Sequence, residues 1–182
     1  MEDQTMAASM SNLQSNDRSL TSEAFHHLHQ LTDDQVNWAY EIWDRLRDDL
    51  RHKDNLRRVH AAQLLCNLAK SDPEGRIVGD LPLLWEITKD ERFVTARHCI
   101  QAIWKIGLAG PKQKEKLLQG LTERFRDCRE EKNWSLIRYD LIVDLRKLYD
   151  HEQDEAVKRL ALDLIESEED LKYRKKYASV WK

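Results

Sequence analysis

The sequence predicts an all-α protein made of stacked helical hairpins, and three observations lead to that class. Charged residues fill 35% of its 182 positions, while glycine and proline together number only eight. That balance suits long helices with solvated faces and leaves little for sheets or glycine-rich loops. Apolar residues recur every three or four positions in successive segments, which is the helical period. The pattern is also copied along the chain. Ala61-Ala62, Leu65 and Leu68 fall on Cys99-Ile100, Ile103 and Ile106 at an offset of 38, and these fall on Leu141-Ile142, Leu145 and Leu148 at an offset of 42. Both are close to the roughly 40 to 47 residues of helical-pair repeats.

The central hairpin, residues 80–107, is the most legible. Asp80 reads as the N-cap of its first helix, with Pro82 in the first turn and Leu81, Leu84 and Ile87 on one face. After the short break Lys89-Asp90-Glu91, the second helix carries Phe93, Ala96, Ile100, Ile103 and Gly107 along one stripe and Cys99, Ala102 and Ile106 along the next. That arc is too wide for one partner helix, so further helices must stack on it.

The succession Leu-Pro-x-Leu from Leu81, the Lys-Asp-Glu turn, and a helix ending Ala102-Ile103-Trp104-Lys105-Ile106-Gly107 resembles a HEAT repeat of the armadillo-like α-solenoid superfamily. The resemblance implies an α-α superhelix of about three HEAT-like hairpins with terminal capping helices. It also implies a ladder of charges joining adjacent repeats. Its basic positions would be Arg58, Arg138 and Lys158, with Asp54 and Asp154 preceding the first and last, and Ala96 interrupting it. Such charges staple repeats together rather than contact a ligand.

Taken in order, residues 1–22 are rich in Ser, Asn, Gln and Met and are expected to be a disordered tail. Residues 23–182 are expected to form a single HEAT-like domain. It opens on a short helix, residues 23–31, carrying Phe25, Leu28 and Leu31. His26, His27 and His29 lie there too, but a metal site would need a well-spaced pair and further ligands. No metal and no cofactor is expected. Thr32-x-x-Gln35 is a capping-box signal ahead of Val36, Ala39, Trp43, Leu46 and Leu50, and a second helix runs from Leu56 to Ala69. Pro111 opens a third hairpin, with Leu117, Leu118, Leu121 and Phe125 facing Ile137, Leu141, Ile142, Leu145 and Leu148. Asp154 starts a last helix whose Ala161-Leu162 and Ile165 match the repeat at an offset of only 20. That leaves no room for a first helix, so either the helix of residues 134–149 serves two units or the last helix is a cap. Residues 166–182 interleave Lys172, Arg174, Lys175 and Lys176 with Tyr173, Tyr177 and Trp181. They read as a capping helix in which Leu171, Tyr173, Tyr177 and Trp181 cover the open end of the stack, or alternatively as a contact for nucleic acid or an acidic partner.

The net charge of −3 predicts no general attraction to a polyanion. No run is long and apolar enough for a membrane span, and the N-terminus lacks a leader pattern, so a cytoplasmic protein is expected. Cys66, Cys99 and Cys128 are odd in number and scattered, as reduced thiols used for packing would be. There is no phosphate loop, no Gly-x-Ser-x-Gly and no His-Glu-x-x-His, so no enzyme is expected.

The function expected is a non-catalytic scaffold or adaptor that binds a protein or peptide on its concave face. In a solenoid the second helices line that face. The candidate strip is Gln63 and Asn67, then Arg97, His98, Gln101, Trp104 and Lys105, then Tyr139, Arg146 and Lys147. Trp104 beside Arg97 has hot-spot composition; the other reading places it in the core. Two alternatives accompany this. One is a nucleic-acid-binding HEAT-like module, including an alkylpurine DNA glycosylase-like enzyme, which a positive strip free of carboxylates would favour. The other is a regulatory subunit docking through Tyr173, Tyr177 and Trp181.

Overall fold

Aspartate carboxylates mark where several of the helices begin. In the computed structural model, which describes residues 2–182, Asp17, Asp54, Asp154 and Asp170 each accept a hydrogen bond from a first-turn N–H and so open a helix. Ten α-helices follow one another among the described residues: α1 (Glu2–Asn12), α2 (Arg18–Leu31), α3 (Ala39–Asp49), α4 (Asn55–Leu68), α5 (Arg76–Ile87), α6 (Phe93–Ile103), α7 (Pro111–Asp127), α8 (Trp134–Glu152), α9 (Glu155–Glu166) and α10 (Leu171–Ala178). They pair as hairpins, α1 with α2, α3 with α4, α5 with α6, α7 with α8, and α9 with the short α10. The even-numbered helices form one row, in which α4 packs on α2 and α6, and α8 on α6 and α10. The odd-numbered helices form a second row, where α7 packs on α5 and α9. This is an all-α solenoid, with three central hairpins and a helical pair at each end.

The repeated apolar register is the core. Leu65, Ile103 and Leu145 occupy equivalent positions on α4, α6 and α8, and all three are fully buried. Cys66, Cys99 and Cys128 are free and buried, filling space as small hydrophobes do. Gly107 sits where an added Cβ would come within 2.9 Å of Leu148 and 3.0 Å of Leu117, so α7 and α8 close over it only because it has no side chain.

Several boundaries differ from the sequence reading. The segment expected to be a disordered tail contains α1, whose Met6 is buried, and Leu13 just beyond it is buried too; Met1 lies outside the described residues. Burial against α2 stabilises a helix that composition alone disfavours. Thr32 does not open a helix. It ends α2, its hydroxyl donating to the Leu28 carbonyl, and α3 starts only at Ala39. Asp80 is no cap either. Gly75, at φ +70°, lets the chain enter α5 earlier, and the Asp72 carboxylate accepts from the Ile77 N–H. Asp80 is then buried inside α5, where it accepts from Trp43 Nε1 at 2.9 Å and pairs with Arg47 at 2.7 Å.

The charge ladder is present with other acidic partners. Arg58 holds Asp90 in the next hairpin's turn through two hydrogen bonds, 2.6 and 3.0 Å, and Arg138 pairs at 2.7 Å with the fully buried Glu168 in the turn after α9. Ala96 leaves the gap between them. Asp54 and Asp154 cap their helices, and Asp154 also accepts from Lys114 of α7 at 2.9 Å, a pair between outer helices and not one with the expected basic positions. Lys158 lies on an outer helix, its ammonium over the Tyr149 ring. The match of α9 to the repeat at the short offset is therefore coincidental: α9 is an outer helix and α10 the inner one.

Candidate inner-face site

Inner helices present side chains that the core does not consume, and these define the candidate site. On α4 Gln63 is half-buried. On α6 His98 is exposed, and Arg97 and Gln101 are half-buried. Tyr139, Arg146 and Lys147 of α8 are half-buried as well. His98, Tyr139 and Lys176 are each the sixth residue of their helix, so the row carries the surface from α6 to α10. The Lys176 ammonium lies 5.0 Å from the centre of the Tyr139 ring, joining α8 to α10 by a cation–π contact.

Two residues of the expected strip are not available to a partner. Asn67 is fully buried, and its amide donates to the His29 carbonyl and the Thr32 hydroxyl. Trp104 is only 8% exposed. The reason is local: α6 stops at Ile103 and the chain tightens into a 3₁₀ segment from Trp104 to Ala109, so the angle expected for a continuing α-helix does not apply. The indole lies 4.9 Å from the His151 ring and under the Lys147 ammonium. The core reading of Trp104 is the correct one.

Most of the strip's cations have carboxylates beside them. Arg97 donates to Asp140 at 2.8 Å, and Gln101 reaches the same carboxylate. Arg146 pairs with Asp150 at 2.8 Å. Lys105 donates to Asn67 and lies 3.9 Å from Asp33, and burial holds its ammonium below the ordinary lysine range. Lys147 has no carboxylate within ion-pair distance among the described residues. The strip is therefore not the continuous, uncompensated positive track that nucleic acid would need.

Sequence reasoning missed the contribution of α2. Phe25 stacks on His60 of α4 at 4.1 Å with the planes 7° apart. Burial, with smaller contributions from His26 and His98, pushes His60 down to about 4, so that imidazole is neutral at physiological pH. Beneath the face, Asp144 of α8 is fully buried and neither carboxylate oxygen has a hydrogen-bond partner. Burial raises its pKa well above the usual carboxylate range.

The C-terminal aromatics cover the end of α8. Tyr177 is fully buried and donates to the Ser135 carbonyl, Tyr173 meets Trp134 edge-on, and Trp181 packs against Tyr149. Leu171, expected among them, is instead exposed. Among the described residues no group of three His, Cys, Asp or Glu is placed to hold a metal ion, and no helix is long and apolar enough to cross a membrane.

No protein-family model matches the chain, and no curated protein matches it. Solved structures do. An engineered protein superimposes with a TM-score of 0.58 at 15% identity over 97% of this chain, which spans 46% of that protein's length. A designed armadillo repeat protein in complex with the peptide (KR)4 gives 0.56 at 13% identity, covering 95% of this chain and 79% of its own. Computationally designed armadillo repeat proteins for modular peptide recognition give 0.51 at 15%, over 95% and 97%. Likeness at that level of identity speaks to architecture. The chain has the armadillo/HEAT-like α-solenoid fold.

Proposed function

We propose that the protein is a non-catalytic peptide- or protein-binding scaffold whose partner lies along the inner face. One observation carries this reading: His98, Gln101, Tyr139 and Lys147 stand on consecutive inner helices with accessible polar and aromatic groups, while the apolar register beneath them is complete without a partner. A stack of hairpins with a finished core has no structural need for an ordered strip of this kind. The designed armadillo proteins of the same fold, made for modular peptide recognition, show that such an architecture supports this use. Gln63, Arg97, Arg146 and Lys105 belong to the proposed surface, the last three as cations whose carboxylate and amide partners fix their geometry. Compensation of those cations favours a protein ligand over nucleic acid.

The test is selection from a phage-displayed library of random linear peptides against the chain. Peptides should enrich, and Gln101→Ala with Tyr139→Ala should weaken them about tenfold or more while the far-ultraviolet circular dichroism stays unchanged. Failure to enrich any sequence, or equal binding by the variant, overturns the reading.

A further inference from the structure

We infer that the partner of this face is an extended acidic protein segment with an apolar anchor, an inference that rests on the proposed function and narrows it. Charge is sorted between the two rows of helices. Among the inner helices α4, α6 and α10 contain no aspartate or glutamate and α2 has one, Glu23, whereas the outer helices α3, α5, α7 and α9 each carry two or more. Of the four carboxylates on α8, Asp140 is buried and taken by Arg97, Asp144 is buried beneath the surface, Asp150 pairs with Arg146 and Glu152 with Lys114 of α7. In a chain with a net charge of −3, this leaves the inner row positive against the total.

Lys172, Lys175 and Lys176 of α10 and Lys147 of α8 have no carboxylate within ion-pair distance among the described residues, and two of them reach across to a neighbouring inner segment. Lys147 and Lys176 each lie over an aromatic ring, Trp104 and Tyr139, on neighbouring inner helices. Separated, ring-backed ammonium groups suit side-chain carboxylates spaced along a polypeptide, whereas a nucleic-acid strand offers phosphates in close succession. At the α6 end a shallow cavity of about 200 Å³ is lined by Phe93, Val94, Arg97, His98 and Gln101. Val94 is 65% exposed there, beside the half-buried Phe93. Phe93 and Val94 form an apolar floor for one side chain, and Arg97 and His98 border it with donors. The partner thus places an aliphatic or aromatic residue on Val94 and carboxylates at Lys147 and Lys176.

Fluorescence anisotropy with three labelled probes tests this: a Glu-rich peptide of about twelve residues carrying one leucine, the same peptide with every Glu replaced by Lys, and an oligo-thymidine of similar length. The acidic peptide should bind at least about tenfold tighter than the basic one at low salt. Lys147→Glu with Lys176→Glu should reverse that order, and Val94→Asp should weaken the acidic peptide alone. Tighter binding of the basic peptide, or no effect of the charge reversal, overturns the inference, and tighter binding of the oligonucleotide overturns it in favour of nucleic acid. Library peptides that bind through Gln101 and Tyr139 yet carry no acidic residues would sink this inference and leave the scaffold reading intact.

Discussion

Arg58 and Asp90, 32 positions apart in sequence, meet through two hydrogen bonds across the boundary between the first and second central hairpins. Both side chains are largely shielded from water, and Arg58 also donates to the His52 and Lys53 carbonyls. The pair fixes the register of one hairpin on the next. Removing either partner strands the other, so Arg58→Ala and Asp90→Ala should each cost about 2–4 kcal/mol. The double variant should cost clearly less than the sum of the two. Urea unfolding of the four proteins measures the cycle.

Asp144 works in the opposite sense. Its carboxyl is buried without a partner, and replacing it by leucine should raise stability at pH 7 by about 1–3 kcal/mol. Burial makes the folded state hold this proton to a higher pH than the unfolded chain does. Between the ordinary aspartate value of about 4 and the raised folded value, the folded state therefore binds more protons, and stability falls as pH rises. The stability advantage of Asp144→Leu over the wild type should therefore grow as pH rises from 4 to 8, read from the denaturation midpoints of the two proteins side by side.

His60 titrates with the contrary slope. Stacked on Phe25 and pushed down to about 4, it must be deprotonated to stay in place, whereas the unfolded chain takes up a proton near 6.5. Its contribution is complete above pH 6.5 and is lost as pH falls toward 4, up to about 3 kcal/mol. The variant His60→Leu should lose less stability on acidification over that window, in the same denaturation series.

The inner helices were legible because their apolar spacing is a property of the chain itself: Leu65, Ile103 and Leu145 could be aligned from sequence, and all three are fully buried. What depends on a change of backbone geometry or on a distant neighbour was not. Trp104 projects onto the surface only if α6 continues, and the 3₁₀ segment turns it inward. Asn67 is closed off by α2, an inner helix whose place in the row follows from its packing against α1 and α4. Asp80 resembles a cap because the sequence does not disclose that Gly75 enters the left-handed region and starts α5 sooner. In the ladder the basic positions Arg58 and Arg138 could be read from the repeat, but their acids Asp90 and Glu168 come from the following turns, out of register with the motif.

Gly120 of α7 faces the Trp85 ring of α5, and a Cβ there would lie 2.3 Å from it. An indole face cannot yield as a flexible side-chain end can, so Gly120→Ala should force the two outer helices apart and destabilise by about 1–3 kcal/mol, despite alanine's better helix propensity. Trp85→Ala in the same background should recover much of that specific clash, read from thermal midpoints.

The central claim, that the inner row is a docking surface, is tested most directly by amide chemical-shift mapping of the isotope-labelled chain with the tightest library peptide. Shifts gathered on His98, Gln101, Tyr139 and Lys147 and running on toward Lys176 are the predicted result. Shifts gathered instead on the outer helices α3, α5 and α7, with the inner row unmoved, would contradict it.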